Sequence, residues 1–229
     1  ELVPPAAELW WCSPPCQAWS VGGKRLGARD VERNGWPWVW QAYDRAAVKP
    51  DWLIAENVAG MTHHSAELCG NPLTCAGCYL ERVVIPELRA RFPHVVARVL
   101  NAADYGVPQH RRRLFIVCSR TAYAWPAPTH GAGRRPYVTS GQAIGLVDDG
   151  VRIIGGGGNP HGKNKGHERN FRDLTDEPML TVSAVRIGNR GPWIRDRADL
   201  FDPSYEPQRP YTLEEAAAWQ GFPRHWPWQ

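Results

Sequence analysis

The chain has 229 residues, a formal net charge of +4 and 43% hydrophobic residues, which suits one large α/β domain or one domain with a smaller lobe. No apolar run approaches the roughly 18 residues of a membrane-spanning helix, so we predict no such span. The small positive charge permits a nucleic-acid partner without requiring one. Six cysteines occur with no secretory signal pattern ahead of them, so we expect a cytoplasmic protein with thiols or metal ligands rather than disulfides.

The first half of the chain alternates predicted strands with predicted helices. We predict strands at 9–12, 51–55, 95–100 and 114–117, and helices at 36–47 and 79–92, the second kinked at Pro86. This alternation is typical of a mostly parallel sheet. Such sheets bind ligands beyond the carboxyl ends of their strands, where Cys16 and Glu56 follow the first two strands.

The second half of the chain differs from the first in composition. From about Arg120 to Gln208 proline and glycine are dense and apolar runs are short, which predicts an irregular lobe with short strands. The basic residues between 152 and 172 are Arg152, Lys163, Lys165, Arg169 and Arg172. On charge alone, a solvated loop is the favoured interpretation of that stretch. In the tail, Thr212 and Glu215 predict a capping box, followed by a helix through Gln220 that Gly221 ends.

Two positions near predicted strand ends carry candidate chemistry. Cys16 follows Pro14 and Pro15, which fix the backbone beside the thiol and so suit a nucleophile held towards a substrate. An ordinary loop cysteine explains this segment as well and is favoured when the segment is taken alone. Glu56 follows the apolar run 52–55, where a carboxylate can share or donate a proton. A strand-end residue that caps the next turn is about as well supported.

A basic segment, Gln109-His110-Arg111-Arg112-Arg113, precedes the fourth predicted strand. Strand alternation predicts that Arg111 and Arg113 lie on one side and Arg112 on the other. Two guanidinium groups on one side suit a phosphate or a carbonyl oxygen that gains charge. Alternatively, the arginines keep an exposed strand edge soluble, and this alternative explains Arg112 well.

Taken together, these elements resemble the bacterial and phage DNA cytosine-5 methyltransferases. The resemblance is carried by Pro14-Pro15-Cys16-Gln17 with Ser20, by Glu56-Asn57-Val58, by Gln109-x-Arg111-x-Arg113, and by Tyr211-Thr212-x-x-Glu215 with Gln220-Gly221-Phe222-Pro223. It implies a Rossmann-like S-adenosylmethionine-dependent methyltransferase sheet with a smaller target-recognition lobe. By this resemblance, 1–119 belong to the catalytic domain, 120–208 form the recognition lobe, and 209–229 return towards the catalytic domain.

The resemblance also implies a reaction on duplex DNA. Cys16 would add to C6 of a cytosine flipped out of the helix, and Glu56 would hold N3 and the amino group. Arg113 would bind the O2 side of the base, Arg111 would order the loop, and Pro15 would touch S-adenosylmethionine. The implied DNA-binding residues are Gln17, Ser20, Arg111, Lys163, Lys165 and Arg169.

The sequence departs from the family pattern at both ends. The Phe-x-Gly-x-Gly loop and acidic residue with which the family holds S-adenosylmethionine are not found before Cys16. The final asparagine-containing motif is not found after Pro223. We therefore expect a fragment that by itself binds S-adenosylmethionine negligibly, and a protein that is monomeric when full length.

A further cluster has spacing suited to a metal. His64, Cys69, Cys75 and Cys78 follow the pattern H-x4-C-x5-C-x2-C, which can close a tetrahedral zinc site. His63 competes with His64 for the fourth position. On spacing alone, free thiols in an insertion are somewhat better supported than zinc. Any zinc here would be structural, because the family motifs do not require it.

The sequence alone leaves two other functions open. Thymidylate synthase also uses a Pro-Cys nucleophile at C6 of a pyrimidine, although Glu56-Asn57-Val58 and the second lobe argue against it. A DNA-binding remnant without turnover is the second alternative. Methyl transfer to duplex DNA, and not to deoxyuridine monophosphate, distinguishes the three.

Overall fold

The computed structural model describes residues 6–19, 27–30, 32–146, 151–155, 172–182, 193–196, 209–223 and 226. The chain divides into two compact units, Glu1–Leu100 with Arg112–Pro126 and Asn101–Arg111 with Ala127–Gln229. Four predicted DNA-binding residues, Ser20, Lys163, Lys165 and Arg169, lie outside the described residues. No helix in the described ranges is both long and apolar enough to cross a membrane.

The first unit is built on a four-stranded sheet with the order β1-β2-β5-β3. The strands of the first half are β1 (Leu9–Cys12), β2 (Trp52–Val58), β3 (His94–Asn101), β4 (Gln109–His110) and β5 (Arg112–Ser119). β1 and β2 are parallel, whereas β2 and β5 are antiparallel. The prediction of a mostly parallel sheet is therefore wrong for the second pair. The reason lies in the connection that precedes β5. Only 102–111 separate β5 from β3, its other neighbour in the sheet, and this is too short for the helical crossover that joins parallel strands. The chain therefore turns back before β5.

Helices pack on one face of this sheet. α1 (Trp36–Arg45) follows β1, and α2 (Ala76–Tyr79), a π-helical turn (Leu80–Val84) and α3 (Ile85–Arg89) follow β2. Leu53 and Ala55 alternate along β2 onto the face that these helices bury, and both are 1% exposed. Their partners include Val84 and Leu88, which are as deeply buried. Burial of Leu53 and Ala55 therefore determines which face of β2 packs against the helices.

The helix predicted at 79–92 runs instead from 76 to 89 in three consecutive parts. A π-helical turn ends at Val84, two residues before Pro86, where the sequence predicts a kink. Proline lacks an N–H, and its ring crowds the carbonyl one turn earlier. A π-helical widening just before the proline is one way for a helix to continue past it.

The second unit contains short strands. β6 (Val151–Gly155), β7 (Arg172–Asp173), β9 (Trp193–Asp196) and β10 (Arg209–Pro210) form a sheet in the order β10-β9-β6-β7. β4 pairs in parallel with β8 (Met179–Leu180). Ile153, Leu174, Met179 and Trp219 are buried together at the centre of this unit. Trp219, near the end of the chain, thus contributes to the same core as β6 and β8.

Two helices of the second unit begin with capping boxes. α5 (Leu213–Trp219) starts at the predicted box of Thr212 and Glu215, which is confirmed. α4 (Ser140–Ile144) starts at a box that the sequence analysis did not identify, although Thr139 and Gln142 have the required spacing. The chain leaves α5 through Gly221, whose φ of 86° is in the left-handed region that favours glycine.

Candidate active site

Cys16 and Glu56 are brought to the same edge of the sheet by the pairing of β1 with β2. The two strands are parallel, with Cys12 opposite Ala55, so the segments that follow them leave the sheet at one end. Cys16 lies directly before a turn in which its carbonyl accepts the amide of Trp19 at 2.9 Å. Its thiol is free and half-buried. The thiol therefore lies beyond the carboxyl ends of the parallel pair β1 and β2.

Asn57 fixes the proline segment that precedes Cys16. Its side chain is 2% exposed, and Nδ2 donates to the carbonyl of Pro14 at 3.0 Å. Oδ1 accepts the amide of Val58 at 2.9 Å, so both polar ends of the buried amide have partners. Asn57 thus positions the backbone two residues before the thiol. Asn57 stands in the Glu56-Asn57-Val58 motif, but the sequence alone does not indicate this bracing role.

Gly35 packs against the same prolines and was missed by the sequence analysis. A Cβ at this position would lie 2.3 Å from Cδ of Pro15 and 3.1 Å from Cβ of Pro14. Both distances are shorter than ordinary carbon contacts, and a proline ring has little freedom to move aside. Position 35 therefore requires glycine, because any side chain there would collide with the two prolines. Its distance from the prolines along the chain left no local signal for this contact.

Glu56 lies inside β2 rather than after it, because β5 extends the pairing as far as Val58 opposite Arg113. Glu56 itself opposes Phe115, so Arg113 is its diagonal neighbour on the same face. Nε of Arg113 lies 3.0 Å from Oε1 of Glu56, and the two side chains are 20% and 21% exposed. Nη1 of Arg113 donates to the carbonyl of Arg112 at 2.8 Å. The guanidinium therefore holds the carboxylate from within the sheet.

The remaining predicted residues occupy different surroundings. Arg111 belongs to the second unit and is half-buried; in the chain it stands after β4 and before β5. These strands belong to different sheets, so strand alternation does not determine the side on which Arg111 lies. Gln17 is exposed in the turn after Cys16, and Pro15 is half-buried.

A cavity of 610 Å³ lies beside the turn that follows Cys16. Its walls include Trp19, Gly60, His64, Cys75 and Arg112. The Trp19 ring stacks on Tyr79 with centroids 4.6 Å apart. Burial raises the pKa of Tyr79, which keeps its hydroxyl neutral. The cavity therefore joins the Cys16 turn to the cysteine cluster, whose four residues the structure also brings together.

Comparison with known proteins gives a consistent family. The model of the C-5 cytosine-specific DNA methylases matches residues 4–143, more than half of the chain. Type II methyltransferase M.AplI of Arthrospira platensis is 40% identical over 131 residues, covering 57% of this chain and 33% of the relative. Type II methyltransferase M.BsuRI of Bacillus subtilis is 28% identical over 228 residues, covering 91% and 47%. The crystal structure of S. pombe Dnmt2 methyltransferase covers 62% of this chain and 40% of its own, with TM-score 0.40 and 14% identity.

The chain spans between about a third and about a half of the length of these curated relatives. The segment that matches the family model contains the proline-braced Cys16, the carboxylate of Glu56 and its partner Arg113. On this match, the chain belongs to the C-5 cytosine-specific DNA methylase family.

Proposed function

We propose that the protein transfers a methyl group to C5 of a cytosine flipped out of duplex DNA, through a covalent bond between Cys16 and C6. One observation carries the proposal: a proline-braced thiol and an arginine-paired carboxylate lie at one edge of the sheet within the family-matched segment. The ring atoms are inaccessible inside a duplex, and extruding the base costs roughly a few kcal/mol. Binding to the flanking DNA must offset that cost.

The thiol makes C5 reactive. As a thiolate, Cys16 adds to C6, and the electrons of the C5–C6 double bond give an enamine with a nucleophilic C5. After C5 takes up the methyl group, a base removes the C5 proton. The carbon–sulfur bond then breaks, which restores the double bond and releases Cys16. The fixed backbone from Pro14 to Cys16 supports this role, because attack requires a defined direction of approach.

Glu56 is assigned to the N3 edge of the base. A proton delivered to N3 takes up the negative charge that thiolate addition places on the ring, which favours addition. The contact of Arg113 Nε with Oε1 restricts the rotation of the carboxylate and so favours its alignment with N3 and the amino group. Arg113 also remains assigned to the O2 side, where its charge would stabilise developing negative charge. Arg111 remains assigned to ordering the neighbouring loop.

S-adenosylmethionine is the methyl donor that membership of this family implies, and it supplies the methyl group. Pro15 is the described residue assigned to it. A pyrrolidine ring offers apolar contact but neither a charge nor a hydrogen-bond donor, so Pro15 does not by itself hold a charged nucleoside. The steps assigned to this chain are therefore those performed on the cytosine.

We assign 1–119 to a Rossmann-like catalytic domain and 120–208 to a target-recognition lobe. The resemblance implies that 209–229 return towards the catalytic domain, but Tyr211 and Trp219 of this segment pack in the core of the second unit, and we assign them to that unit. The basic composition of 152–172 supports contact with phosphates, since lysine and arginine dominate such contacts. Gln17 and Ser20 follow the thiol in sequence and are assigned to the gap left by the flipped base. Bacterial type II relatives support a cytoplasmic location in a bacterial or phage-infected cell.

The test is methyl transfer by the natural gene product that contains this sequence. With labelled S-adenosylmethionine, we expect 5-methylcytosine in duplex DNA and no methylation of deoxyuridine monophosphate. Label in the free nucleotide would favour the thymidylate-synthase alternative. DNA binding without transfer, by a protein that binds S-adenosylmethionine, would favour the non-catalytic alternative.

A further inference from the structure

The cluster of His64, Cys69, Cys75 and Cys78 has the dimensions of a tetrahedral metal site. One ligand atom from each residue lies within 4.8 Å of all the others. Nδ1 of His64 lies 3.6 Å from the sulfur of Cys69, 3.9 Å from that of Cys75 and 3.6 Å from that of Cys78. Ligand atoms bound tetrahedrally to one zinc ion are separated by about 3.5–3.8 Å. The four side chains therefore converge on one point.

The histidine ring is oriented as a metal ligand would be. Nε2 of His64 lies 3.2 Å from Oε1 of Glu81, and a carboxylate there requires Nε2 to donate. In the neutral ring, Nδ1 then keeps its lone pair, and this atom faces the three sulfurs. A carboxylate behind a ligating histidine is a recurrent arrangement at zinc sites. Glu81 was not identified from the sequence, although it follows Cys78 by one helical turn.

The backbone around the cluster is shaped for close approach. A Cβ at Gly77 would lie 2.5 Å from Nε2 of His64, so only glycine lets the ring come this near. The amide of Gly70 donates to the sulfur of Cys78 at 3.2 Å and so helps to fix the position of that sulfur. Nη1 of Arg82 donates to the carbonyl of Gly70 at 3.0 Å and so holds that turn in place.

The structure also resolves which of the adjacent histidines belongs to the cluster. His63 contributes its backbone carbonyl, which accepts the amide of Gly77 at 2.9 Å. The ring of the next residue, His64, supplies the nitrogen that faces the sulfurs. His63 is therefore a matched control for any test of His64.

We propose that His64, Cys69, Cys75 and Cys78 bind one zinc ion as a closed structural site. Three thiolates and one neutral imidazole form a ligand set that zinc prefers, and four protein ligands leave no position for a substrate. Binding releases the three thiol protons. This inference does not depend on methyl transfer.

The site has a structural consequence for the Cys16 turn. The segment that holds Cys69 and Cys75 also contains Leu73, whose carbonyl accepts the amide of Ala28 at 2.9 Å. The neighbouring Gly27 donates its amide to the carbonyl of Ala18, within the turn after Cys16, at 3.2 Å. Zinc thus fixes a segment that is linked through two backbone hydrogen bonds to the turn beside the thiol.

Metal content of the natural gene product, purified without chelator, tests the proposal. We expect one zinc ion per chain, retained in His63→Ala and lost in His64→Ala. The His64 ring is exposed, so this substitution opens no cavity in the hydrophobic core. Glu81→Gln should keep the site but weaken zinc binding by about 10–100-fold in a competition with a chromophoric chelator.

Cobalt(II) added to the reduced, metal-free protein gives an independent readout. We expect sulfur-to-cobalt charge-transfer bands in wild type and His63→Ala, and altered bands in Cys69→Ser, which lacks one exposed sulfur. Absence of both zinc and these bands would overturn the proposal. So would zinc content that is equal in wild type and His64→Ala, since that would be adventitious metal, or a Cys69–Cys78 disulfide in protein purified under reducing conditions.

Discussion

Cys16 and the cysteines of the cluster lie in one compact unit but are held by opposite means. Cys16 is fixed through its backbone, since Pro14 and Asn57 brace the residues before it. Cys75 and Cys78 are fixed through their sulfurs, which face one histidine nitrogen. A nucleophile needs an aimed sulfur whose electron pair is available to a substrate, whereas a structural ligand gives that pair to a metal. The proposed nucleophile is thus held by its backbone, which leaves its sulfur available, whereas the proposed metal ligands are held by their sulfurs.

A third environment completes the comparison. Cys118 is fully buried, and burial raises the pKa of its thiol to about 12. Its sulfur therefore stays protonated near neutral pH, and only the thiolate attacks or binds metal. Cys118 is a core residue that should take part in neither function.

The largest effect is expected from Cys16→Ser. A serine hydroxyl is a much weaker nucleophile without a strong base, so methyl transfer should fall below detection. Zinc content and the melting temperature should not change, because the cluster lies on other residues. Transfer assays and metal analysis on the same preparation check both statements. Residual transfer at the wild-type rate would remove Cys16 from the mechanism.

Glu56→Gln should have the next largest effect. The amide keeps the shape of the carboxylate but cannot deliver a proton to N3, and assistance of this kind contributes ~10²–10⁴-fold. Single-turnover kinetics should show that loss in the transfer step while the dissociation constant for duplex DNA changes little. Arg113→Lys, which keeps the charge but loses the Nε contact, should slow transfer less than Glu56→Gln. An equal rate for Glu56→Gln and wild type would contradict the assignment.

Gly35→Ala tests whether bracing of the backbone matters. The added methyl group would meet Pro15 at 2.3 Å, so the proline segment must shift, at a cost of typically 1–3 kcal/mol. We expect lower stability and slower transfer with unchanged zinc content. Gly60→Ala is the matched control, because its nearest contact, the carbonyl of Trp19 at 3.5 Å, is ordinary. Equal behaviour of the two variants in chemical denaturation would show that Pro15 is not tightly packed.

The effect that is smallest at neutral pH concerns Cys118, because it develops only in alkaline solution. Its folded pKa of about 12 lies above the ordinary value of 9.0, so the unfolded chain loses its proton first as pH rises. The contribution to stability is complete below about pH 9 and falls by about 1.4 kcal/mol per pH unit above it. Cys118→Ala should therefore show a flatter decline in unfolding free energy between about pH 9 and pH 11. Parallel curves for variant and wild type would contradict the burial argument.

Local patterns in the sequence predicted the elements that carry the site. The apolar run ending at Cys12 and the run 52–55 predicted the strands that bring Cys16 and Glu56 to one edge. The strand predicted at 114–117 corresponds to β5, but its antiparallel pairing with β2 was not predicted, because local patterns do not give the direction of a strand. For the same reason the pairing of Glu56 with Arg113 escaped notice, although both residues were named.

Spacing also located the cysteine cluster but could not select its histidine. His63 and His64 are adjacent in a loop, and a loop has no helical or strand periodicity from which to predict which side chain faces the cysteines. Tertiary packing decides it, through the glycine at position 77 that admits the His64 ring. Glu81 had a sequence signal in its helical spacing from Cys78, whereas Gly35 had none.

The most direct test of the account is trapping the bond between Cys16 and the base. Duplex DNA with 5-fluorocytosine at the target position blocks the last step, because fluorine at C5 cannot leave as the proton does. The natural gene product with S-adenosylmethionine should form a stable protein–DNA adduct, and mass spectrometry should map it to the peptide that contains Cys16. An adduct on another cysteine, or transfer to ordinary DNA by a protein that forms no adduct, would contradict the central claim.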